Sequence, residues 1–427
     1  MSTVQLSPPP AVHWITDTLQ KAGHDTWAVG GAVRDILSGH YAGDWDLTTQ
    51  ARPRQIEQLF KRTVPIGIEH GTVGVLARDG TLFEVTTFRR DVETDGRHAV
   101  VTFADTIEED LARRDFTINA LAWHPIEQKL LDPFGGLKDL EAGVLKTVGV
   151  PEKRFAEDYL RILRAFRFAG RFGLRIEEAS WGALCGGIEH LESLSCERVR
   201  DELLKALGQH RIPSKTLSLY AEAGALSVLY PELEELRTAD RSIALNPWEF
   251  TLASIDELPP GNAFLRLVQL FHLLNPKKVV EILVRLRFSN AQIDETSQRA
   301  SASPLPGLDA DDEAIRRWLS SNRPERLNAL VRLELARARA HPSPMKTPSE
   351  VVDSWRRARL IRATGVPLSI SDLAIDGNDL IRIGLRPGPD FARILEDLLD
   401  FVLVDPTRNE QGVLEARVEA SSGAYEE

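Results

Sequence analysis

The sequence predicts an N-terminal α/β domain followed by regions built almost entirely of helices. Between residues 27 and 135, short β-rich runs alternate with helix signals, and from Glu152 onward strand patterns nearly vanish. A chain of 427 residues is long enough for two to four domains, each with its own core. We therefore predict four parts: an α/β head over residues 1–150, a helical neck over 151–210, a helical body over 211–345 and a helical tail over 346–427.

The head is predicted to begin with an amphipathic helix over residues 12–22. Its strands are predicted at 27–29, 45–47, 74–76, 82–87 and 100–103, and its other helices at 56–60 and 115–122. Turn signals at Asp132-Pro133 and Gly135-Gly136 close it. Neck helices are predicted at 154–170, 178–190 and 196–207. The last dozen residues are expected to be disordered.

Composition excludes several classes of protein. With 43% hydrophobic residues and a mean hydropathy of −0.20, the chain has no run near the ~20 apolar residues of a membrane span, and we find no secretory signal. Cys185 and Cys196 form no Cys-x-x-Cys pair, so zinc and a disulfide framework are not expected. The net charge of −11 argues against indiscriminate nucleic-acid binding. We expect a cytoplasmic protein without membrane contact.

Two short motifs in the head point to phosphate chemistry. Gly30-Gly31 follows an apolar run and forms a turn that lets backbone N–H groups approach a phosphate. Asp44 and Asp46 flank Trp45, so both carboxylates face one side of a following strand. Mg²⁺ prefers such oxygen ligands, and two ions about 3.5–4 Å apart would activate a hydroxyl and stabilise departing pyrophosphate. Either motif alone is more often an ordinary turn or a solvated loop. Together and in order they predict nucleotidyl transfer.

With further blocks beginning at Gly67, Glu84, Glu109, Asp132 and Arg154, these motifs resemble the polymerase-β-like nucleotidyltransferase superfamily. More narrowly, they resemble the bacterial-type (class II) tRNA nucleotidyltransferase and poly(A) polymerase family, across roughly residues 27–205. The resemblance implies a polymerase-β-like α/β head followed by all-α neck, body and tail domains. It also implies addition or repair of the 3′-terminal CCA of tRNA from CTP and ATP, without a nucleic-acid template.

A pair in the neck suggests how the nucleotide is chosen. On the predicted helix from residue 154, Asp158 and Arg161 stand three positions apart and would project together. A carboxylate acceptor beside a guanidinium donor matches the edge of cytosine or adenine and mismatches uracil or guanine. The alternative is a simple i, i+3 salt bridge. The resemblance assigns base selection to this pair, supported by Glu157 and Arg164.

The same neck region is rich in basic residues. Residues 153–171 hold six basic residues against two acidic ones. A solvated helix face is the usual explanation of such a run, but the neighbouring motif favours a surface that faces the substrate.

The resemblance also implies roles for residues of the head. It assigns the triphosphate to Gly30, Gly31 and Arg34, the ribose to Arg114, Asp115 and Asn119, and support of the Mg²⁺ at Asp44 and Asp46 to Glu84. Asp35 is expected to brace the phosphate loop. The alternatives are a charge cluster in which Asp115 caps a helix, and a strand-edge charge at Glu84. A polar segment over residues 89–101 is expected to be a flexible loop needed for the switch from C to A.

Body and tail are expected to hold the acceptor arm and elbow of tRNA by shape and phosphate contacts, in a monomer or a homodimer. Three other functions stay open: a poly(A) polymerase, a partial enzyme that adds only CC or only A, and a non-catalytic RNA-binding protein. A His-Asp phosphohydrolase domain is not expected, because the one His-Asp dipeptide, His24-Asp25, lies in the head.

Overall fold

The computed structural model describes residues 2–3, 6–40, 43–94, 99–238, 246–341 and 345–421. The chain divides into two compact units. The first comprises Met1–Glu235 with Arg285–Arg287, and the second comprises Leu236–Val284 with Phe288–Glu427. The predicted head and neck both fall within the first unit. The four predicted domain boundaries stay a prediction.

Strands are confined to the first unit in the part of the chain that the structure describes. In chain order they are β1 (Ser2–Thr3), β2 (Thr26–Val29), β3 (Asp46–Thr49), β4 (Thr63–Gly67), β5 (Thr72–Leu76), β6 (Leu82–Thr87), β7 (Arg89–Thr94), β8 (Ala99–Phe103), β9 (Ala122–His124), β10 (Lys129–Leu131), β11 (Val144–Leu145) and β12 (Arg175–Ile176). The main sheet has the order β1-β10-β9-β2-β3-β6-β5-β4, and β3 and β6 are its parallel pair. The pairs β7·β8 and β11·β12 form two small sheets. The α/β head is thereby confirmed.

The sheet is covered on both faces at β2, whose successive side chains point to opposite sides and enter separate clusters. Ala28 in β2 packs into a cluster with Val33 and Leu47, whereas its neighbours Trp27 and Val29 pack into a second cluster on the other face. All four residues of β2 are buried. This double burial fixes the strand that leads into Gly30-Gly31.

Helices follow and flank these strands. Up to residue 238 they are α1 (Pro10–Lys21), α2 (Gly31–Leu37), α3 (Pro53–Leu59), α4 (Ile107–Ala112), α5 (Gly136–Glu141), α6 (Pro151–Glu157), α7 (Leu160–Phe172), α8 (Glu178–Gly186), α9 (Cys196–Gln209), α10 (Ser214–Glu222), α11 (Ala225–Leu229) and α12 (Pro231–Thr238). Short 3₁₀ turns lie at Ile68–His70, Thr117–Asn119 and Ile188–Ser193. Helix α1 matches the predicted amphipathic helix.

Two helix predictions are wrong. The helix predicted at 115–122 is a 3₁₀ turn followed by β9, because Trp123 joins the main sheet opposite Ala28 in β2. The single helix predicted at 154–170 is broken between α6 and α7. Asp158 has extended backbone angles, φ −160° and ψ 106°, and its Oδ1 accepts a hydrogen bond of 3.0 Å from the Leu160 N–H. Such local aspartate bonds compete with a continuous helix.

The later part of the described chain is helical. Its helices are α13 (Pro247–Asp256), α14 (Ala263–Phe271), α15 (Pro276–Arg285), α16 (Asn290–Ala300), α17 (Asp312–Ser321), α18 (Leu327–Ala340), α19 (Pro348–Ala363), α20 (Gly377–Arg382), α21 (Asp390–Val404) and α22 (Gln411–Ser421), with 3₁₀ turns at Ile370–Asp372 and Pro406–Arg408. None of the helices in the described ranges combines the length and apolar character that a bilayer span requires.

The predicted disorder of the last dozen residues is wrong for residues 416–421, which belong to α22. Leu414 and Val418, one turn apart, are buried in a cluster with Ile394 and Leu398 of α21. Residues 422–427 lie outside the described residues. The predicted flexible loop over residues 89–101 also falls partly outside them, since residues 95–98 are not described. On either side, residues 89–94 form β7 and residues 99–101 belong to β8, and because these strands pair antiparallel the loop prediction is wrong for both stretches.

Candidate active site

A cavity of about 570 Å³ in the first unit gathers most of the predicted site. Its lining includes Gly30, Gly31, Arg34, Asp46, Glu84, Arg114, Asp115, Asn119, Asp158, Arg161 and Arg164. Asp44 and Glu157 lie outside this lining. One wall comes from the head sheet and the other from helix α7. The cavity therefore places the carboxylates of the head opposite the basic residues of the neck.

The carboxylates on the head side depend on the register of two strands. Trp45 is buried, which leaves Asp46 to start β3 on the solvent-accessible side. Leu47 pairs with Val85 in the parallel β3·β6 ladder, so Asp46 and Glu84 are neighbours one step earlier. Burial first, and then the Glu84 carboxylate, raises the pKa of Asp46 to about 6, and this outweighs the opposing effect of Arg114.

This carboxylate pair is a suitable donor set for a divalent cation. The oxygens are hard ligands, and after burial the crowding of the Glu84 carboxylate against Asp46 is the next cause of the raised pKa of Asp46. Asp44 adds to that crowding, since its carboxylate also raises the pKa of Asp46. Within the described ranges, however, no three His, Cys, Asp or Glu side chains are grouped closely enough to hold a metal ion. The metal set of Asp44, Asp46 and Glu84 stays a prediction.

The predicted phosphate-binding turn, Gly30-Gly31, packs against Arg114 of the predicted ribose site. Gly30 has φ +70°, and a Cβ at this position would lie 2.9 Å from Nη1 of Arg114. Only glycine meets both constraints without strain. Gly31 then begins α2, which carries Arg34 to the cavity.

Arg34 is 4% exposed, so its guanidinium is almost wholly surrounded by protein. Nε donates to Oδ1 of Asp35 at 2.9 Å, and Nη1 donates to Oδ1 of Asn119. The guanidinium also lies 4.8 Å from the ring centre of Phe168 and 4.7 Å from that of Phe172. Asp35 thus holds the Arg34 guanidinium, and its role in bracing the phosphate loop stays a prediction.

The predicted ribose site is an ordered hydrogen-bond network. Asp115 accepts 2.8 Å from Nδ2 of Asn119 and 2.7 Å from Nε of Arg164. Burial by itself would raise the pKa of Asp115, but the Arg164 charge and the hydrogen bonds outweigh it and lower the pKa to about 2. Arg114 donates to the Asn119 carbonyl at 3.3 Å and to the buried Asp110 at 3.2 Å. The helix-capping alternative for Asp115 is not supported, since no α-helix follows it.

Asp158 and Arg161 both line the cavity, but they do not project from one helix face. The sequence placed them three residues apart on a continuous helix, and the break at Asp158 makes that geometry wrong. Nor do they form the alternative salt bridge. Asp158 pairs with Arg198 at 2.6 Å, whereas Arg161 pairs with Glu157.

Arg161 is held by protein acceptors on three sides. It donates to Glu157, to the Arg154 carbonyl at 2.8 Å and to the Arg113 carbonyl at 3.3 Å. Glu157 also accepts from Arg154 at 2.9 Å, so it supports Arg161 from outside the cavity. This arrangement is compatible with the supporting role predicted for Glu157.

Four of the six basic residues of the neck run face the cavity, whereas Lys153 and Arg154 lie outside its lining. Arg161, Arg164, Arg167 and Arg171 of α7 all line it, which favours the substrate-facing interpretation over a solvated helix face. The cavity also contains Arg198 of α9, which sequence reasoning missed. Its contact with Asp158 spans 40 residues, and no local pattern in the sequence marks it.

The sequence of the chain is similar to those of known proteins. Residues 26–146 match the family described as "Poly A polymerase head domain", and residues 173–236 match "Probable RNA and SrmB- binding site of polymerase A". A protein of Lactiplantibacillus plantarum named "CCA-adding enzyme" is 34% identical over 414 residues, covering 94% of this chain and 93% of that protein. One of Geobacillus kaustophilus with the same name is 33% identical over 396 residues, covering 92% of each.

A solved structure shows the same architecture along the chain. The crystal structure of the Bacillus stearothermophilus CCA-adding enzyme in complex with CTP has a TM-score of 0.79 and 29% identity, and the match covers 99% of both chains. The likeness therefore extends through the helical region that follows the head.

Proposed function

The chain belongs to the tRNA nucleotidyltransferase and poly(A) polymerase family, among its CCA-adding members, and we propose that it completes or repairs the 3′-terminal CCA of tRNA from CTP and ATP without a nucleic-acid template. The observation that carries this proposal is the cavity that sets Asp46 and Glu84 opposite Asp158 and Arg161. It combines carboxylates suited to a cation with a charged pair suited to a base edge. The relatives' name and the CTP in the related crystal structure support the same substrates.

Asp44 and Asp46, with Glu84 beside them, would hold Mg²⁺. As a two-ion site, the metal would supply positive charge for activation of the terminal 3′-hydroxyl and for stabilisation of the departing pyrophosphate. Asp46 is suited to this role because it begins β3 directly before the β3·β6 ladder, and the buried residues that follow it hold its backbone in place.

The phosphate and ribose contacts come from the head. In the proposal, the Gly30-Gly31 turn and Arg34 receive the triphosphate, and Arg114, Asp115 and Asn119 receive the ribose. The hydrogen bond between Asn119 and Arg34 couples the two sites, so one network orients both parts of the nucleotide. A prearranged network of this kind reduces the reorganisation needed when substrate binds.

Base selection rests on unused hydrogen-bonding capacity. Asp158 accepts from Leu160 through Oδ1 and from Arg198 through Oδ2, and each carboxylate oxygen has a second lone pair. A guanidinium has five N–H donors, of which Arg161 directs some to three protein acceptors. An amino group of C or A would donate to Asp158, and the adjacent ring nitrogen would accept from Arg161. Uracil and guanine present the reverse pattern.

The remaining contacts in the proposal are those with the double-helical parts of the tRNA. We propose that the helical region beyond the neck binds the acceptor arm and elbow of tRNA by shape and phosphate contacts, since the bases of double-helical RNA are poorly accessible. The reaction would take place in the cytoplasm, where tRNA is used.

One experiment separates this function from its alternatives. tRNA transcripts ending at the discriminator base, at C and at CC are incubated with each nucleoside triphosphate singly, and products are resolved on a sequencing gel. We expect CTP alone to complete CC and ATP alone to add one A to the CC end. A long A tail would identify a poly(A) polymerase, and CC or A alone a partial enzyme. Binding of tRNA without extension would identify a non-catalytic RNA-binding protein.

A further inference from the structure

One carboxylate in the cavity wall is shared by two arginines. Oδ1 of Asp35 accepts from Nε of Arg34 at 2.9 Å, and Oδ2 accepts from Nη2 of Arg171 at 2.8 Å. Arg34 follows the phosphate turn in the head, whereas Arg171 lies in the last turn of α7 in the neck. Two guanidinium groups on a single carboxylate leave one positive charge in excess at this point.

The two arginines differ in how much of the guanidinium remains available to bind a ligand. The Arg34 side chain is 5% exposed, and its donors are directed to Asp35 and Asn119. The Arg171 side chain is 24% exposed and lines the cavity. Of its five N–H donors, only Nη2 has a protein acceptor among the described residues. Phe172, whose ring centre lies 4.9 Å from the guanidinium, supports it from one side.

Several other arginines of the cavity each face a carboxylate. Arg164 pairs with Asp115 at 2.7 Å and Arg198 with Asp158 at 2.6 Å. Sharing also occurs elsewhere: Arg113 and Arg114 share Asp110, and Arg154 and Arg161 share Glu157. Arg171 combines a shared carboxylate with a guanidinium of which only Nη2 has a protein acceptor among the described residues, so its positive charge is only partly neutralised by protein. A polyphosphate is the part of a nucleotide that carries excess negative charge.

The position of Arg171 along α7 identifies which end of the nucleotide it faces. Arg161 and Arg171 are ten residues apart on one helix, which corresponds to about 15 Å along its axis. With the base at Arg161, Arg171 lies at the far end of the cavity, beside the arginine that follows the phosphate turn.

We propose that Arg171 binds the terminal phosphates of the incoming nucleoside triphosphate and that Asp35 positions its guanidinium for this contact. This inference rests on the proposed function. An arginine fork matches two phosphate oxygens at once, and the contact is independent of the base, so it serves CTP and ATP equally.

The test compares the binding of CTP and CMP by calorimetry, in the presence of Mg²⁺, for the wild type and Arg171→Gln. We expect the Kd for CTP to rise at least about tenfold, as for loss of one charge-assisted hydrogen bond, and the Kd for CMP to stay the same. Arg171→Lys keeps the charge but loses the two-pronged guanidinium, so its Kd for CTP is expected to lie between those of the wild type and Arg171→Gln. Arg175→Gln is the matched control, because Arg175 is an exposed arginine on β12 and lies outside the cavity lining.

Three results would overturn the inference. An unchanged Kd for CTP in Arg171→Gln would show that Arg171 makes no phosphate contact. A parallel rise for CTP and CMP would show a general distortion of the site. If the wild type extends tRNA and binds CTP but either of these results is found, only this inference fails. If the wild type neither binds CTP nor extends tRNA, the proposed function and this inference both fail.

Discussion

Arg198 donates a hydrogen bond of 2.6 Å to the carboxylate of Asp158, 40 residues earlier in the chain. The contact joins α9 to the break between α6 and α7. The carboxylate proposed to recognise the base is therefore fixed both by its own backbone, through Leu160, and by a distant helix. Its direction does not depend on the substrate.

This arrangement makes Asp158→Asn an informative variant. The amide oxygen can still accept from the Leu160 N–H, so the start of α7 is retained. The new NH₂ group replaces the oxygen that accepts from Arg198, so that contact is lost, and it can donate to a carbonyl of uracil or guanine. We expect the ratio of kcat/KM for CTP over UTP to fall roughly 5- to 150-fold, since a misplaced polar group costs about 1–3 kcal/mol. Steady-state kinetics with all four nucleotides on tRNA lacking CCA provide the measurement.

Asp311→Asn is the control for that variant. Asp311 caps α17 by accepting from the Ala314 N–H at 2.8 Å, so it undergoes the same chemical change at a capping position that is not part of the cavity lining. Its nucleotide ratios should equal those of the wild type. Unchanged CTP:UTP and ATP:GTP ratios in Asp158→Asn would place base selection elsewhere.

Asp46→Asn and Asp44→Asn should each abolish addition of both C and A. Either change removes a carboxylate proposed to hold Mg²⁺, whereas the surfaces expected to bind tRNA are unchanged. Single-turnover extension measures the loss, and a filter-binding assay should give a nearly unchanged Kd for tRNA. Asp79→Asn, at an exposed turn of the head, should retain activity. Substantial Mg²⁺-dependent turnover in both site variants would contradict the two-ion proposal.

Glu202→Gln should destabilise the first unit. Glu202 is 1% exposed and pairs with Arg167 at 2.6 Å, so neutralising it leaves a buried guanidinium without its charged partner. Breaking a buried pair in this way costs about 3–5 kcal/mol. Urea unfolding followed by tryptophan fluorescence measures the change in the free energy of unfolding. Asp17→Asn, in an exposed helix pair with Lys21, should cost less than about 1 kcal/mol, and equal losses in both variants would refute the argument.

Asp115 should make stability depend on acid pH. Its pKa is lowered in the folded chain from 3.8 to about 2, so the ionised carboxylate stabilises the fold above about pH 4. This contribution, about 2 kcal/mol, is lost progressively as the pH falls from about 4 towards 2. Asp115→Asn lacks it, so its free energy of unfolding should fall less steeply across that window. Parallel curves for variant and wild type would contradict the prediction.

The head could be predicted because its signals are local. The apolar run that leads into Gly30-Gly31 and the alternation around Trp45 depend on immediate neighbours, and the structure places both where that pattern predicts. Glu84 was found through a resemblance, and the strand register explains why it belongs beside Asp46.

The neck shows the limit of such reasoning. A helical period fits the residues on both sides of Asp158. The helix is nevertheless broken there, because the Asp158 side chain accepts a hydrogen bond from the Leu160 N–H, between the end of α6 and the start of α7. The partners of Asp158 and Asp35 are Arg198 and Arg171, at separations of 40 and 136 residues. Contacts made only through folding leave no periodic trace in the sequence.

The held arginines of the cavity also bear on the entropy of nucleotide binding. A free arginine side chain loses up to about 2 kcal/mol of rotamer entropy when it is immobilised. Arg34, Arg161 and Arg164 already have fixed acceptors in the folded chain, so this cost falls on folding and not on each encounter with a nucleotide. Preorganisation of this kind lets a protein with a net charge of −11 present an ordered cationic surface to a small ligand.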